Sequence, residues 1–357
     1  MSKQCNQNAC QKRTSIGGQA LIEGIMMRGP KSTAMAVRNP DGQIVLEKEE
    51  TPAAGKSKLA RLPIIRGVVN FIASMRLGYK YLMRSAEIAM PEEVSSKKEA
   101  PVEEDVEKDP AVEAIPEQKE NKKEKKKKEG SFLMGAIMIV STVLGVALAV
   151  GLFIMLPSFL YKWCADWLPF LSPEHPALRS LVKSAFEGFL KIAVLVGYML
   201  LVRLMKDIKR TFQYHGAEHK TIFCYEHGKE LTLENVRNER RFHPRCGTSF
   251  LILMLIVGIF ISFLIDPISL LIFEKVPPTW LRALIRLLLL PLMMGVGYEL
   301  IKIAGKHDNL FTRIISAPGM WLQRITVMEP DDDMIECALV AFKEVIPPEE
   351  AESKEEA

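Results

Sequence analysis

Four stretches of this chain stay apolar long enough to cross a bilayer: Phe132 to Leu160, Ala185 to Met205, Ser249 to Phe273 and Leu281 to Ile303. Each is close to the ~20 residues that span a ~30 Å hydrocarbon layer, so the pattern predicts four transmembrane helices. Ahead of them the pattern is different. SIGGQALIEGIMMRGP, from Ser15, reads as an extended apolar run broken by glycines, and STAMAVR and QIVLEKEE read as two strands joined by a turn at Asn39, Pro40, Asp41 and Gly42. Between Leu62 and Met90 the period becomes helical. Arg76, Lys80 and Arg84 recur every four residues as a basic stripe, and the longest uncharged run, Gly67 to Met75, is too short to span. This amphipathic helix packs on the strands or lies on the inner leaflet, and the sequence leaves both open. Past the fourth apolar run, Pro330 and Asp331 to Asp333 open a helix whose Met334, Ile335, Ala338, Leu339 and Phe342 share one face. That face is expected to pack on the cytoplasmic part.

The predicted fold class is a mainly α membrane protein, with four transmembrane helices and a small N-terminal cytoplasmic α+β domain containing a β-hairpin. Its divisions are 1–90, the hairpin and amphipathic helix; 91–130, a charged linker; 131–305, the membrane domain with a loop at 206–248; and 306–357, a cytoplasmic helical tail. In the linker 23 residues are charged and none is aromatic. So little apolar surface cannot offset the entropy of ordering, and disorder is expected there.

Charge then orients the chain. The 206–248 loop carries nine Lys and Arg, against two, Lys162 and Arg179, between Tyr161 and Val182. The positive-inside rule places the first loop in the cytoplasm and, with an even number of spans, both termini with it. MSKQCNQNACQKR lacks an apolar core and cleavage site, which also keeps the N-terminal region inside. Five of the six cysteines then face a reducing compartment, so no disulfide framework is expected. KKEKKKK at 122–128 suits anionic lipid or acts as a topology signal. A net charge of +4 with no long basic face speaks against nucleic acid. Membrane lipid, a protein partner or a second copy of the chain remain as expected partners. Glu23 and Arg28 are read as a surface pair or turn anchor. Lys183, Glu187 and Lys191 are read as a helix end whose charges pair or snorkel, with transport as the alternative.

Three of the six histidines fall in YHGAEHKTIFCYEH at 214–227, and a fourth, His243, follows in HPRCG. On a helix continued from the second span, His215 and His219 point the same way and Glu218 projects about 60° from His215. Two imidazoles one turn apart suit zinc, and a neighbouring carboxylate that does not ligate suits a general base. Pro244 fits the first turn of the third span, with His243 near its cap and Cys246 one turn on. At 1.5 Å per residue the two motifs rise roughly 15 Å and 9 Å above their apolar boundaries, so adjacent antiparallel helices can bring them together. His215, His219, His243 and Cys246 are the candidate zinc ligands, Glu218 is the candidate catalytic base, and Cys224 and His227 are reserves. Four ligands would make a closed structural site; three with an open position would make a catalytic one. The alternative to metal is that the histidines are polar caps and headgroup contacts. H-x-x-E-H also matches the short signature of the inverted zinc peptidases, with Glu299 at a suitable separation for a third ligand, but the rest of the chain does not follow that fold.

GGQALIEGIMMRGP, YHGAEHKTIFCYE and HPRCGTSF together resemble the YqhQ-like family, bacterial membrane proteins of unknown function commonly labelled predicted metal-dependent enzymes. The resemblance covers Ser15 to Met90 and about Ser131 to Ile346. It implies a metal site at the matching His215, Glu218, His219, His243 and Cys246, and it supplies no substrate. Two functions compete. One is a metal-dependent hydrolase at the cytoplasmic face, with Glu218 deprotonating water. The other is a noncatalytic scaffold or assembly factor with a structural metal. Transport is weaker, because four spans offer little pore, and no G-x-x-x-x-G-K loop is present to bind ATP.

Overall fold

The computed structural model describes residues 14–51, 62–90, 140–168, 170, 174–307 and 309–347. The expected linker at 91–130, its lysine run and the first residues of the first apolar run lie outside the described residues.

The N-terminal strands form one antiparallel sheet in the order β1 (Gly17–Leu21), β2 (Gly24–Arg28), β3 (Ser32–Arg38), β4 (Ile44–Glu50). The expected hairpin is β3–β4, and the glycine-punctuated run folds as a second hairpin, β1–β2. At that hairpin's turn Glu23 takes a positive φ of 49°. Its carboxylate accepts from Arg210 at 2.5 and 2.6 Å and from the Tyr214 hydroxyl at 3.3 Å, so Glu23 anchors the turn.

Strand alternation sends Ile25, Met27, Ala34 and Ala36 to one face and Leu21, Met26, Met35 and Val37 to the other. Both sets are apolar because both faces are covered. α1 (Ile65–Ala89) packs on the second face with Leu77, Tyr81 and Ile88. Its basic stripe meets acidic β4: Lys80 pairs with Glu49 at 2.6 Å and Arg84 with Glu47 at 2.7 Å. Its first turns reach a membrane helix, where Arg66 donates to Glu299 at 2.6 Å and Asn70 to the Tyr298 hydroxyl at 2.9 Å.

Among the described residues four helices are long and apolar enough to cross a membrane: α2 (Val140–Trp167), α3 (Pro176–Val202), α6 (Gly247–Phe273) and α7 (Thr279–Lys306). α3 packs against α2 and α6, and α6 against α7. Between the second and third spans lie α4 (Lys206–Glu226) and the short α5 (Leu233–Arg237). After the fourth come α8 (Leu310–Thr326), which packs on α6 and α7, and α9 (Asp332–Lys343). As expected, α9 does not span. Its Met334, Ile335, Ala338 and Phe342 fill the core between α4 and the first face of the sheet.

Two expectations are corrected. The second span does not run on into the histidine motif, because the chain leaves helical geometry at Met205 (φ −73°, ψ 132°) and α4 starts afresh. α3 begins at Pro176, well ahead of the apolar run, so Lys183, Glu187 and Lys191 do not stand at a helix end; the expected pairing is present between Lys183 and Glu187, 3.8 Å apart. Glu187 and Lys191 are buried, and the charges themselves had hidden the first two turns of the span from an apolar count.

Candidate metal centre

α4 is buried almost continuously from Tyr214 to Glu226, wedged between the sheet, α9 and the segment after α8. One turn apart on its face, His215 and His219 sit with ring centroids 4.5 Å from each other. Each ring is oriented by a carbonyl. His215 Nδ1 lies 3.0 Å from the Thr326 carbonyl oxygen, and His219 Nδ1 lies 2.5 Å from that of Arg241. A carbonyl only accepts, so both Nδ1 atoms carry the proton and both Nε2 lone pairs are left for another partner.

The third group comes from the start of α6. Pro244 and Arg245 form a turn, and Cys246 itself is the N-cap, accepting from the Thr248 backbone N–H at 3.4 Å. This places Cys246, rather than His243, at the cap. Its Sγ lies 3.1 Å from His215 Nε2. One ligand atom from each of His215, His219 and Cys246 falls within 4.8 Å of the others, the spacing of groups that could hold a metal ion. His219 is only 1 % exposed, and its buried Nε2 has no hydrogen-bond partner among the described residues. An orphaned buried lone pair is costly, and a cation at the focus of the three groups would satisfy it. Two tautomers held by backbone carbonyls are also how metal-ligating histidines are usually oriented. The residues fit a metal.

His243 stands beside this group. Its ring centroid is 5.8 Å from that of His219, Nδ1 accepts from the Arg245 N–H at 3.2 Å, and Nε2 faces Glu226 at 3.4 Å. Both ring nitrogens are engaged, so the structure brings together three of the four expected ligands and gives the fourth another partner. Cys224 is buried in the core, its thiol donating to the Glu230 carbonyl at 3.3 Å, and His227 pairs with Glu239 at 2.9 Å. Glu299 is held by Arg66 and is not one of the clustered groups.

Glu218 projects toward β1, where the Gly18 N–H donates to its Oε1 at 3.0 Å. Burial pushes its carboxyl above the usual range, with His215 and the Gly18 N–H opposing that rise. Burial pushes His219 down, partly offset by Cys246, which keeps the imidazole in the neutral form that ligates. Glu218, His219, His243 and Cys246 line a cavity of about 600 Å³ whose far wall is Tyr298 and Lys302 of α7.

Sequence reasoning missed several supporting residues. Glu226 accepts from the Thr14 N–H at 2.9 Å and pairs with Arg245; burial raises its carboxyl, but His243 and Arg245 outweigh that and hold it low. Its spacing from His215 and His219, on the same helical face, was a usable signal. Gln323 of α8 had none. Buried completely, it accepts from the His243 N–H at 2.8 Å and donates to the His243 carbonyl at 2.8 Å.

The family model described as "Protein of unknown function (DUF1385)" matches residues 62–348. The "Uncharacterized protein YqhQ" of Bacillus subtilis (strain 168) is 30% identical over 336 residues, covering 93% of this chain and 92% of that protein. No solved structure matches the chain.

Proposed function

Because this chain belongs to the DUF1385 family, whose description assigns no activity, the site itself must carry the functional reading, and we propose a zinc-dependent hydrolase working where the membrane helices meet the cytoplasmic domain. The observation that carries this reading is the convergence of His215 Nε2 and Cys246 Sγ with the buried, partnerless Nε2 of His219. These three atoms would hold the metal, and thiolate and imidazole donors suit zinc. When bound, zinc supplies a Lewis acid in a site with only three protein ligands.

The chain's own residues do the rest. Gly18 fixes Oε1 of Glu218, leaving Oε2 as the atom that takes a proton from water. The raised affinity of this carboxyl for a proton brings it nearer to the working range of a general base. Arg241 and Thr326 hold the imidazoles in one tautomer, and Glu226 with Arg245 holds His243 at the cavity wall. Tyr298 and Lys302 of the α7 span form one wall of the cavity, which supports a substrate that arrives at the membrane boundary.

One observation favours a structural site instead: the same groups tie α4 to the 238–246 segment, α6 and α8. Metal analysis of the full chain purified in detergent, run alongside complementation of a deletion strain, separates the two readings. About one zinc per chain is expected, lost in His219→Ala. Glu218→Gln should keep the zinc and the thermal stability yet fail to complement, since loss of a general base costs ~10²–10⁴ in rate. Full complementation by zinc-loaded Glu218→Gln would leave only the structural site, and wild-type protein without metal would sink both.

A further inference from the structure

Six charged side chains meet inside the helical bundle at the end away from the His/Cys centre. α3 contributes Lys183, Glu187 and Lys191, α6 contributes Asp266, and α7 contributes Arg282 and Arg286. Arg282 pairs with Asp266 at 2.5 Å, Arg286 with Glu187 at 3.3 Å and Lys183 with Glu187 at 3.8 Å. The Ser158 hydroxyl donates to Glu187 at 3.0 Å, and the Ser180 hydroxyl donates to Asp266. Asp266 lies 19 residues past Gly247, about 29 Å along α6 at 1.5 Å per residue, so this cluster is separate from the metal centre.

Its charges do not balance. Among the described residues four cations face two carboxylates. Lys191 sits near the middle of the Leu178–Val202 span, is 9 % exposed, and makes no hydrogen bond or ion pair among the described residues. It stands one turn past Glu187 on α3. Nε of Arg282, Nε of Arg286 and Oδ1 of Asp266 are also buried without partners among the described residues. A network that served only to join the helices would pair its charges, because an uncompensated ion in a membrane interior is strongly unfavourable. Here two positive charges, two guanidinium N–H donors and one carboxylate oxygen are left over. Their chemistry matches a phosphate group, which takes forked hydrogen bonds from arginine and a point charge from lysine.

We infer that α3, α6 and α7 enclose a binding site for one phosphate group, carried by an anionic lipid headgroup or by free phosphate, with Lys191, Arg282 and Arg286 as its cationic contacts. This inference does not depend on the metal centre.

Full-length protein in neutral detergent allows a direct test. Binding of radiolabelled inorganic phosphate is measured at equilibrium. In parallel, retained lipid is identified by native mass spectrometry after passage through vesicles of phosphatidylcholine alone or mixed with phosphatidylglycerol. About one phosphate or one phosphatidylglycerol per chain is expected, weakened at least ~10-fold in Lys191→Met and in Arg286→Gln, as loss of a charged contact should do. Binding of phosphate identifies a free anion as ligand, and binding of phosphatidylglycerol alone identifies a lipid headgroup. Wild-type protein that retains neither overturns the proposal, as does binding that both variants preserve. The wild-type measurement stands even if a variant fails to fold.

Discussion

Two glycines show how closely backbone approaches the candidate centre. Gly18 presents its N–H to Glu218, and a Cβ there would lie 2.8 Å from the Met26 carbonyl oxygen and 3.0 Å from Glu218 Cδ. Gly216, inside HGAEH, is in the middle of a helix, where replacing Gly with Ala ordinarily stabilises by ~1 kcal/mol. At this position the new Cβ would land on the carbonyl oxygen of Met328, whose N–H donates to the Phe212 carbonyl at 2.9 Å. Overpacking against backbone costs roughly 1–3 kcal/mol and outweighs the propensity gain. Gly216→Ala is therefore expected to lower stability in denaturant unfolding. A stabilised variant would mean that the strand-like segment after α8 does not lie on α4.

α8 links the last membrane span to the candidate centre. Its Asn309 capping box starts it, and its far end supplies Gln323 and the Thr326 carbonyl. Among the described residues Gln323 hydrogen-bonds to none of the three clustered groups, yet it pins both backbone groups of His243, three residues before Cys246. Gln323→Leu leaves those two buried groups unpaired, at ~1–3 kcal/mol each. Outer partners of metal ligands typically change affinity by ~10–100-fold, and a loss of that size in zinc affinity is expected here. A competition titration with a chromogenic chelator measures it, and unchanged affinity would show that α8 does not position Cys246.

At the scale of the whole molecule, the helices carry a metal-like centre at one end and a cation-rich cluster at the other. The nine basic residues of the 206–248 segment lie on the side of the His/Cys centre, so the positive-inside rule predicts that this side faces the cytoplasm. With native cysteines replaced, a single cysteine at exposed Lys229 should resist an impermeant thiol reagent in intact cells, whereas one at exposed Glu174 should react. The opposite labelling pattern would invert the proposed topology and move the candidate hydrolase outside.

Much of this architecture follows from local pattern. Long apolar runs have one common solution in hydrocarbon, the helix that satisfies its own backbone, so four spans were legible without a structure. Strand alternation and turn residues marked β3 and β4, and the four-residue spacing of His215 and His219 put them on one helical face. The resemblance carried by the three quoted motifs holds, since the chain belongs to the family they suggested. Local pattern could not say which side chains converge. Glu218 meets Gly18 across 200 positions, His215 meets Thr326 across 111 and Gln323 meets His243 across 80. No period encodes such pairs; they arise when the sheet, α4 and α8 close on one another. The charges of α3 looked like a helix end for the same reason. Their partners Asp266, Arg282 and Arg286 stand on other spans, and only helix packing brings those side chains within a few ångströms, where burial turns a surface charge pattern into a candidate binding site.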